Sequence, residues 1–160
     1  MRMTVFTDYT LRTLIYLALR PGQLVTIAEI ADAYRISNNH LMKVVHHLAQ
    51  SGDVNTVRGQ HGGLRLAHSP AAINIGAVVR RAEADLEIVP CFGATANCII
   101  KPDCVLSSAL DEALRAFLAV LDRYTLADLV NPRLNLAERL GIALASVPLE
   151  IAAAPEASAI

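Results

Sequence analysis

The sequence predicts a mainly α-helical protein with a small β wing, a winged helix-turn-helix followed by a long dimerisation helix. Three observations carry that reading. Two short amphipathic runs are separated by the tight link Arg35-Ile36, the proportions of a helix-turn-helix. Two strand-like runs then flank Gly59-Gln60-His61-Gly62-Gly63, where glycine permits positive φ. Beyond residue 105, apolar residues recur at alternating spacings of four and three, the mark of a partner-facing seam.

Taken in order, Leu11, Leu14, Ile15 and Ala18 share one helical face behind Thr7, a candidate cap, so residues 7–20 read as the first helix, closed by Pro21-Gly22. Thr26 caps a second helix through Tyr34, with Ile27, Ile30 and Ala31 inward. Ser37 caps a third, whose apolar face is Leu41, Val44, Val45 and Leu48, and Ser51-Gly52 ends it. Its opposite face presents Asn39, Lys43, His46 and Gln50. Ser37, Asn38 and His40 stand at its first turn, the end that reaches base edges in this motif. Residues 54–58 and 64–67 read as the wing strands, with Arg58, Gln60 and His61 at the tip, where a groove or phosphate could receive them.

Residues 74–84 read as a connecting helix with Arg80 and Arg81 on its surface. A long helix follows from Val105 to about Tyr124, with Leu110, Leu114, Phe117, Leu121 and Tyr124 along the seam. Leu106, Leu118 and Val120 widen the stripe, so the helix should also pack on its own winged domain. One more turn is expected over residues 125–130. Four segments result: residues 1–84 for DNA binding, 85–104 as a ligand-bearing loop, 105–131 for dimerisation, and 132–160 as a partly disordered tail.

The net charge of −1 hides an asymmetry. Residues 1–81 hold nine Lys or Arg against four Asp or Glu and all five histidines, while residues 82–160 hold five against eleven. A nucleic acid should therefore bind the amino-terminal half. No apolar run approaches the roughly 20 residues of a membrane span. Asp8 and Arg12 interrupt any resemblance to a secretory signal, so a cytoplasmic protein with reduced thiols is expected. There is no nucleophile–base pair, phosphate loop or metal-hydrolase motif to suggest an enzyme.

Cys91, Cys98 and Cys104, the only cysteines, fall within CFGATANCIIKPDC. Their odd number argues against a closed disulfide framework, and Gly93, Asn97 and Pro102 favour a loop that can wrap three thiolates around one centre. Such thiolates select iron–sulfur clusters or zinc. The spacing lacks the short cysteine pairs of zinc ribbons, which leaves structural zinc with one oxygen ligand as the lesser alternative.

TDYTLR near the start, the wing RGQHGGLRLA, the following IGAVVRRAE, and DLEIVPCF before the cysteines together resemble a bacterial family of winged-helix iron–sulfur transcriptional regulators over residues 1 to about 130. The resemblance implies a homodimer that binds a double-stranded DNA operator and holds a cluster through Cys91, Cys98 and Cys104. The fourth ligand separates the branches. A cluster-biogenesis branch completes a [2Fe-2S] site with a histidine three positions after the last cysteine, where this chain has Ser107, a poor ligand at neutral pH. The nitric-oxide-sensitive branch resembles this chain in placing an aspartate at the start of the first helix, here Asp8, which would come from the other protomer to complete a [4Fe-4S] cluster. Asp103 and Ser107 remain rivals, and a plainer role for Asp8 is open: a first-turn acid that favours the helix dipole and pairs with Arg12. The resemblance implies a repressor released by nitric oxide, with oxygen, iron status or redox state as alternative signals and [2Fe-2S] as the alternative cluster.

Overall fold

The first helix is capped three residues earlier than expected. In the computed structural model, which describes residues 2–92, 98–100 and 103–143, α1 (Val5–Leu19) is capped by Thr4, whose hydroxyl accepts from the backbone N–H of Thr7 at 3.2 Å. Thr7 lies inside the helix and is fully buried, as are Thr10 and Thr13. Burial is tolerable because the Thr10 hydroxyl donates to the Phe6 carbonyl and that of Thr13 to the Tyr9 carbonyl, both at 2.8 Å, leaving methyl groups to pack. The buried face of α1 is thus wider than Leu14 and Ala18 alone suggest.

Helix α2 (Ile27–Tyr34) carries the expected Thr26 cap, completed reciprocally by Glu29. It ends at Arg35, which takes the left-handed conformation at φ 54°, and Ile36 drops into the core immediately afterwards. That sharp reversal is what lets α3 (Asn38–Gln50) cross α2 after so short a link. Ser37 occupies the cap position of α3, but its side chain makes no capping hydrogen bond. Leu41, Val44, Val45 and Leu48 are buried as their spacing predicts, and Gly52, at φ 79°, turns the chain out of the helix.

Strands β1 (Val54–Val57) and β2 (Gly63–Leu66) pair antiparallel, from Val54 opposite Leu66 to Val57 opposite Gly63. Both end one residue earlier than the sequence suggested. Leu64 also bridges Val25, which fastens the wing to the segment ahead of α2. A Cβ on Gly63 would stand 2.9 Å from the Val25 carbonyl oxygen, so only glycine fits this close approach.

A single 3-10 turn, Pro70–Ala72, leads to α4 (Ile75–Ala82), capped by Asn74. Its buried residues Ile75, Val78 and Val79 join those of α1 and α3 in one core. After a second 3-10 turn at Pro90–Phe92 comes α5 (Val105–Leu121), which ends three residues sooner than expected because residues 122–126 turn back onto the start of α4. Ile75 N–H donates to the Tyr124 carbonyl at 3.0 Å, and Leu126 N–H donates to that of Ile73 at 2.8 Å. No residue of α5 is buried within the single chain. Leu110, Leu114, Phe117 and Leu121 are half-covered, while Val105 and Leu106 stay 81% and 65% exposed.

A box of Thr125 and Asp128 caps the short α6 (Leu126–Leu129), whose Leu126 is fully buried. Beyond Asn131-Pro132, where a tail was expected, the chain forms α7 (Arg133–Arg139) instead. Ala137 and Ile142 enter the core, and Gly141 at φ 64° ends the helix. The rest of the expected tail, from residue 144, lies outside the described residues, as do positions 93–97 and 101–102.

Candidate DNA interface and metal centre

Because one side of α3 is consumed by the core, its other side is left to solvent. Asn38, Asn39, His40, Lys43, His46 and Gln50 are all exposed, as is Ser37 ahead of them. At the wing tip, Arg58, Gln60 and His61 are exposed too, held by a turn in which Gly62 N–H donates to the Gly59 carbonyl at 2.9 Å. The first turns of α1 buttress this face: Phe6 meets the His47 ring edge-on at 5.3 Å, and Tyr9 lies 6.1 Å from His40. His40 is therefore steadied by an aromatic neighbour, while Asn39 and Lys43 project free of such support.

Met42 escaped the sequence reading. It is 52% exposed within the polar stripe of α3, beside Lys43 and one turn from Asn39 and His46. The available signal was an apolar residue on the wrong face of a strongly amphipathic helix. In a major groove the apolar partner for such a side chain is a thymine methyl group. Asp53 was also missed. It is 8% exposed at the corner between α3 and β1, where it receives the Ser51 hydroxyl at 2.7 Å and Arg81 at 2.8 Å. The Ser51 bond closes the corner between α3 and β1, and the Arg81 bond ties that corner to α4.

The three thiols are free of disulfide bonds. Cys91 sits half-buried in the turn Pro90–Phe92, Cys98 is exposed, and Cys104 is the half-buried residue that precedes α5. Among the described residues, no three His, Cys, Asp or Glu side chains converge closely enough to hold a metal ion. What the single chain does bring together is Cys91 with Ser107 and Asp111, along one open groove between the turn and α5. Asp103 is exposed at the approach to α5.

Asp8 is engaged within its own helix, its carboxylate 3.0 Å from Arg12 Nε. Arg12 in turn lies over the Tyr34 ring, 5.7 Å from its centre, and burial pushes the Tyr34 phenol up to about 12, so that ring stays neutral. Behind α1, a cleft of about 210 Å³ opens between Met3, Thr4, Glu83, Leu86 and the α5 residues Leu114 and Phe117. Thr4 N–H donates to Glu83 across it at 2.8 Å. The donor set, three uncommitted thiols with oxygen donors close in sequence or on α1, is chemically suited to iron or zinc and not to hard oxygen-loving cations.

Comparisons with known proteins agree with this architecture. Residues 3–132 match the Rrf2 family model, described as an iron-dependent transcriptional regulator. The chain is 56% identical over 133 residues to the HTH-type transcriptional regulator NsrR of Bacillus subtilis (strain 168), covering 82% of this chain and 91% of that protein. It is 51% identical to the NsrR of Shouchella clausii (strain KSM-K16) over 132 residues, 81% and 89% of the two chains. Among solved structures it resembles T. potens IscR, with a TM-score of 0.65, 27% identity, and coverage of 91% and 94% of the two chains. It also resembles CymR, the global cysteine regulator of B. subtilis, with a TM-score of 0.64, 26% identity, and 82% and 98% coverage. The chain is therefore a DNA-binding transcriptional regulator, not an enzyme, and belongs to the Rrf2 family.

Proposed function

We propose that the chain is a homodimeric, cytoplasmic repressor that holds a [4Fe-4S] cluster and leaves its operator when nitric oxide reacts with that cluster. The observation that carries the reading is the confinement of three free thiols to the segment between the winged domain and α5. Cys91, Cys98 and Cys104 would supply three ligands and Asp8 of the other protomer the fourth. Among the described residues no helix is long and apolar enough to cross a membrane.

Bound there, the cluster supplies an iron with one comparatively weak oxygen ligand, at which a small molecule such as nitric oxide can react. The chain's own residues do the rest. Cys104 precedes the first turn of α5, so holding or releasing its thiolate acts on the dimerisation helix; Asp8 lies on the helix whose Tyr9 and Phe6 brace α3. Ligation by both would tie dimer geometry to the position of the two recognition helices. Asn38, Asn39, His40 and Lys43 face base edges and phosphates in the major groove, and Arg58, Gln60 and His61 meet the neighbouring groove or backbone. A full switch of operator occupancy needs the two states to differ by about 5.5 kcal/mol in affinity.

The groove shared by Cys91 and Ser107 favours a second reading of the fourth ligand, an oxygen from the same chain. The test is to titrate anaerobically purified protein with nitric oxide while following the charge-transfer absorption and binding to operator DNA together. Joint decay of both signals is expected. A colourless zinc protein, or cluster decay with operator binding intact, overturns the proposal.

A further inference from the structure

Neighbouring residues of α4 reach to different elements of the fold. Arg80 makes a two-pronged pair with Asp122 just beyond α5, both contacts at 2.6 Å, and the pair holds the Asp122 carboxyl below its usual range. Arg81 places one nitrogen 3.0 and 2.8 Å from the two carboxylate oxygens of Asp53, at the corner joining α3 to β1. The partners lie 42 and 28 residues away in sequence, so each pair bridges separate elements.

Two further features belong to the Asp122 side. Asn74 caps α4 with its side-chain oxygen and, with its side-chain nitrogen, donates to the Asp122 carbonyl at 2.7 Å. Gly76 is fitted under the carboxylate: a Cβ there would stand 2.0 Å from Asp122 Oδ1, inside any tolerable contact. Helix α4 is thus shaped to receive the end of α5 on one side and grip the root of the DNA-reading elements on the other.

We infer that Arg80 and Arg81 are positioning residues which fix the recognition helix and wing rigidly relative to α5, and so set the separation of the two recognition helices in the dimer. The inference rests on the proposed pairing of two copies through α5. A dimer on an inverted repeat gains affinity only if its two reading heads match the half-site spacing, whereas one head on one half-site does not sense that spacing.

The full-length protein is tested with two DNA probes: an inverted-repeat duplex selected from a random-sequence pool on the wild-type protein, and the same duplex with one half scrambled. Arg80→Gln, Arg81→Gln, Asp122→Asn and Gly76→Ala are compared with the wild type for dimer mass, cluster absorption and affinity for each probe. Gly76→Ala is the decisive variant, since alanine favours the helix itself while displacing Asp122. All four variants should keep dimer mass and cluster absorption, bind the inverted repeat about tenfold more weakly, and bind the scrambled probe as the wild type does. Exchanging the charges, Arg80→Asp with Asp122→Arg, should recover part of the loss. Equal losses on both probes would mean a local folding defect, and no loss on either would mean a passive surface pair; each overturns the inference. Wild-type protein that runs as a monomer, or fails to distinguish the probes, refutes the dimer reading itself, and that result is read without any variant.

Discussion

Replacing Asp8 by asparagine keeps its size and removes the one property that its pairing with Arg12 and its proposed ligation both require. In the single chain its carboxylate pairs with Arg12 at 3.0 Å, with the two side chains 44% and 43% exposed. An exposed i,i+4 pair contributes about 0.2–0.5 kcal/mol, and an acid in the first turn of a helix about 0.3–1 kcal/mol. Asp8→Asn should therefore destabilise cluster-free protein by about 0.5–1.5 kcal/mol, which for a chain of this length lowers the melting temperature by roughly 1–6 °C. Arg12→Gln breaks the same pair but leaves the carboxylate free. If Asp8 ligates across the dimer, only Asp8→Asn should alter the cluster absorption and the rate of its reaction with nitric oxide in anaerobic stopped-flow, while both variants lose some stability. An Asp8→Asn protein with wild-type absorption and wild-type kinetics would refute ligation by Asp8 and pass the role to Ser107 or Asp103.

Three other outcomes follow from particular contacts. If Met42 packs on a thymine methyl, replacing that thymine by deoxyuridine should cost the wild type about 0.8 kcal/mol, close to fourfold in affinity, and cost Met42→Ala nothing; a uridine scan of the selected operator with equal losses in both proteins removes Met42 from base reading. Arg35 holds φ 54° at the helix-turn-helix link, a conformation strained for any residue with a Cβ. Arg35→Gly should raise stability by about 0.5–1 kcal/mol in a thermal melt, and a lowered melting temperature would show that the arginine side chain itself supports the turn. Glu29 is held below the usual carboxylate range, first by the Thr26 backbone N–H, with burial opposing and the Thr26 hydroxyl and Arg20 assisting. Its stabilising effect is therefore complete above the ordinary value of 4.5 and is lost as pH falls through the lower folded-state value. Glu29→Gln should lower stability at neutral pH and flatten that acidic limb of the curve, because the contribution lost on acidification is already gone; an unaltered acidic limb would contradict the assignment.

Much of the winged domain was legible because its signals are local. The apolar spacing of Leu41, Val44, Val45 and Leu48, the Thr26 cap and the glycine-bounded hairpin each act over a few residues; the first two stand where the pattern put them and the hairpin within one residue of it. The errors lie where partners are distant or chemistry is masked. Thr7, Thr10 and Thr13 look polar in sequence, yet their hydroxyl contacts at Thr4, Phe6 and Tyr9 let them join the core. Arg80 and Arg81 look like surface charge until the chain brings Asp122 and Asp53 beside them. Residues after Pro132 read as a tail because Leu136, Ala137 and Ile142 find their cover only in the shared core.

The candidate metal centre divides in the same way, and the division has a physical meaning. Cysteine spacing reveals a thiol-rich segment, since three soft donors that close together have few other uses. It does not reveal the completed site. In the described part of one chain the donors do not converge, Asp8 is paired with Arg12, and no residue of α5 is fully buried. On the proposed reading all three observations have one origin, a site assembled only when a second copy arrives. The weakness of the Asp8–Arg12 pair then becomes useful. A contact of a few tenths of a kcal/mol holds the carboxylate near the helix start without competing seriously against an iron ligand bond, so Asp8 can be captured on assembly and reclaimed by Arg12 when the ligand bond is lost. A strong buried pair at the same place would hold Asp8 out of the site, whereas an exposed one leaves the exchange open.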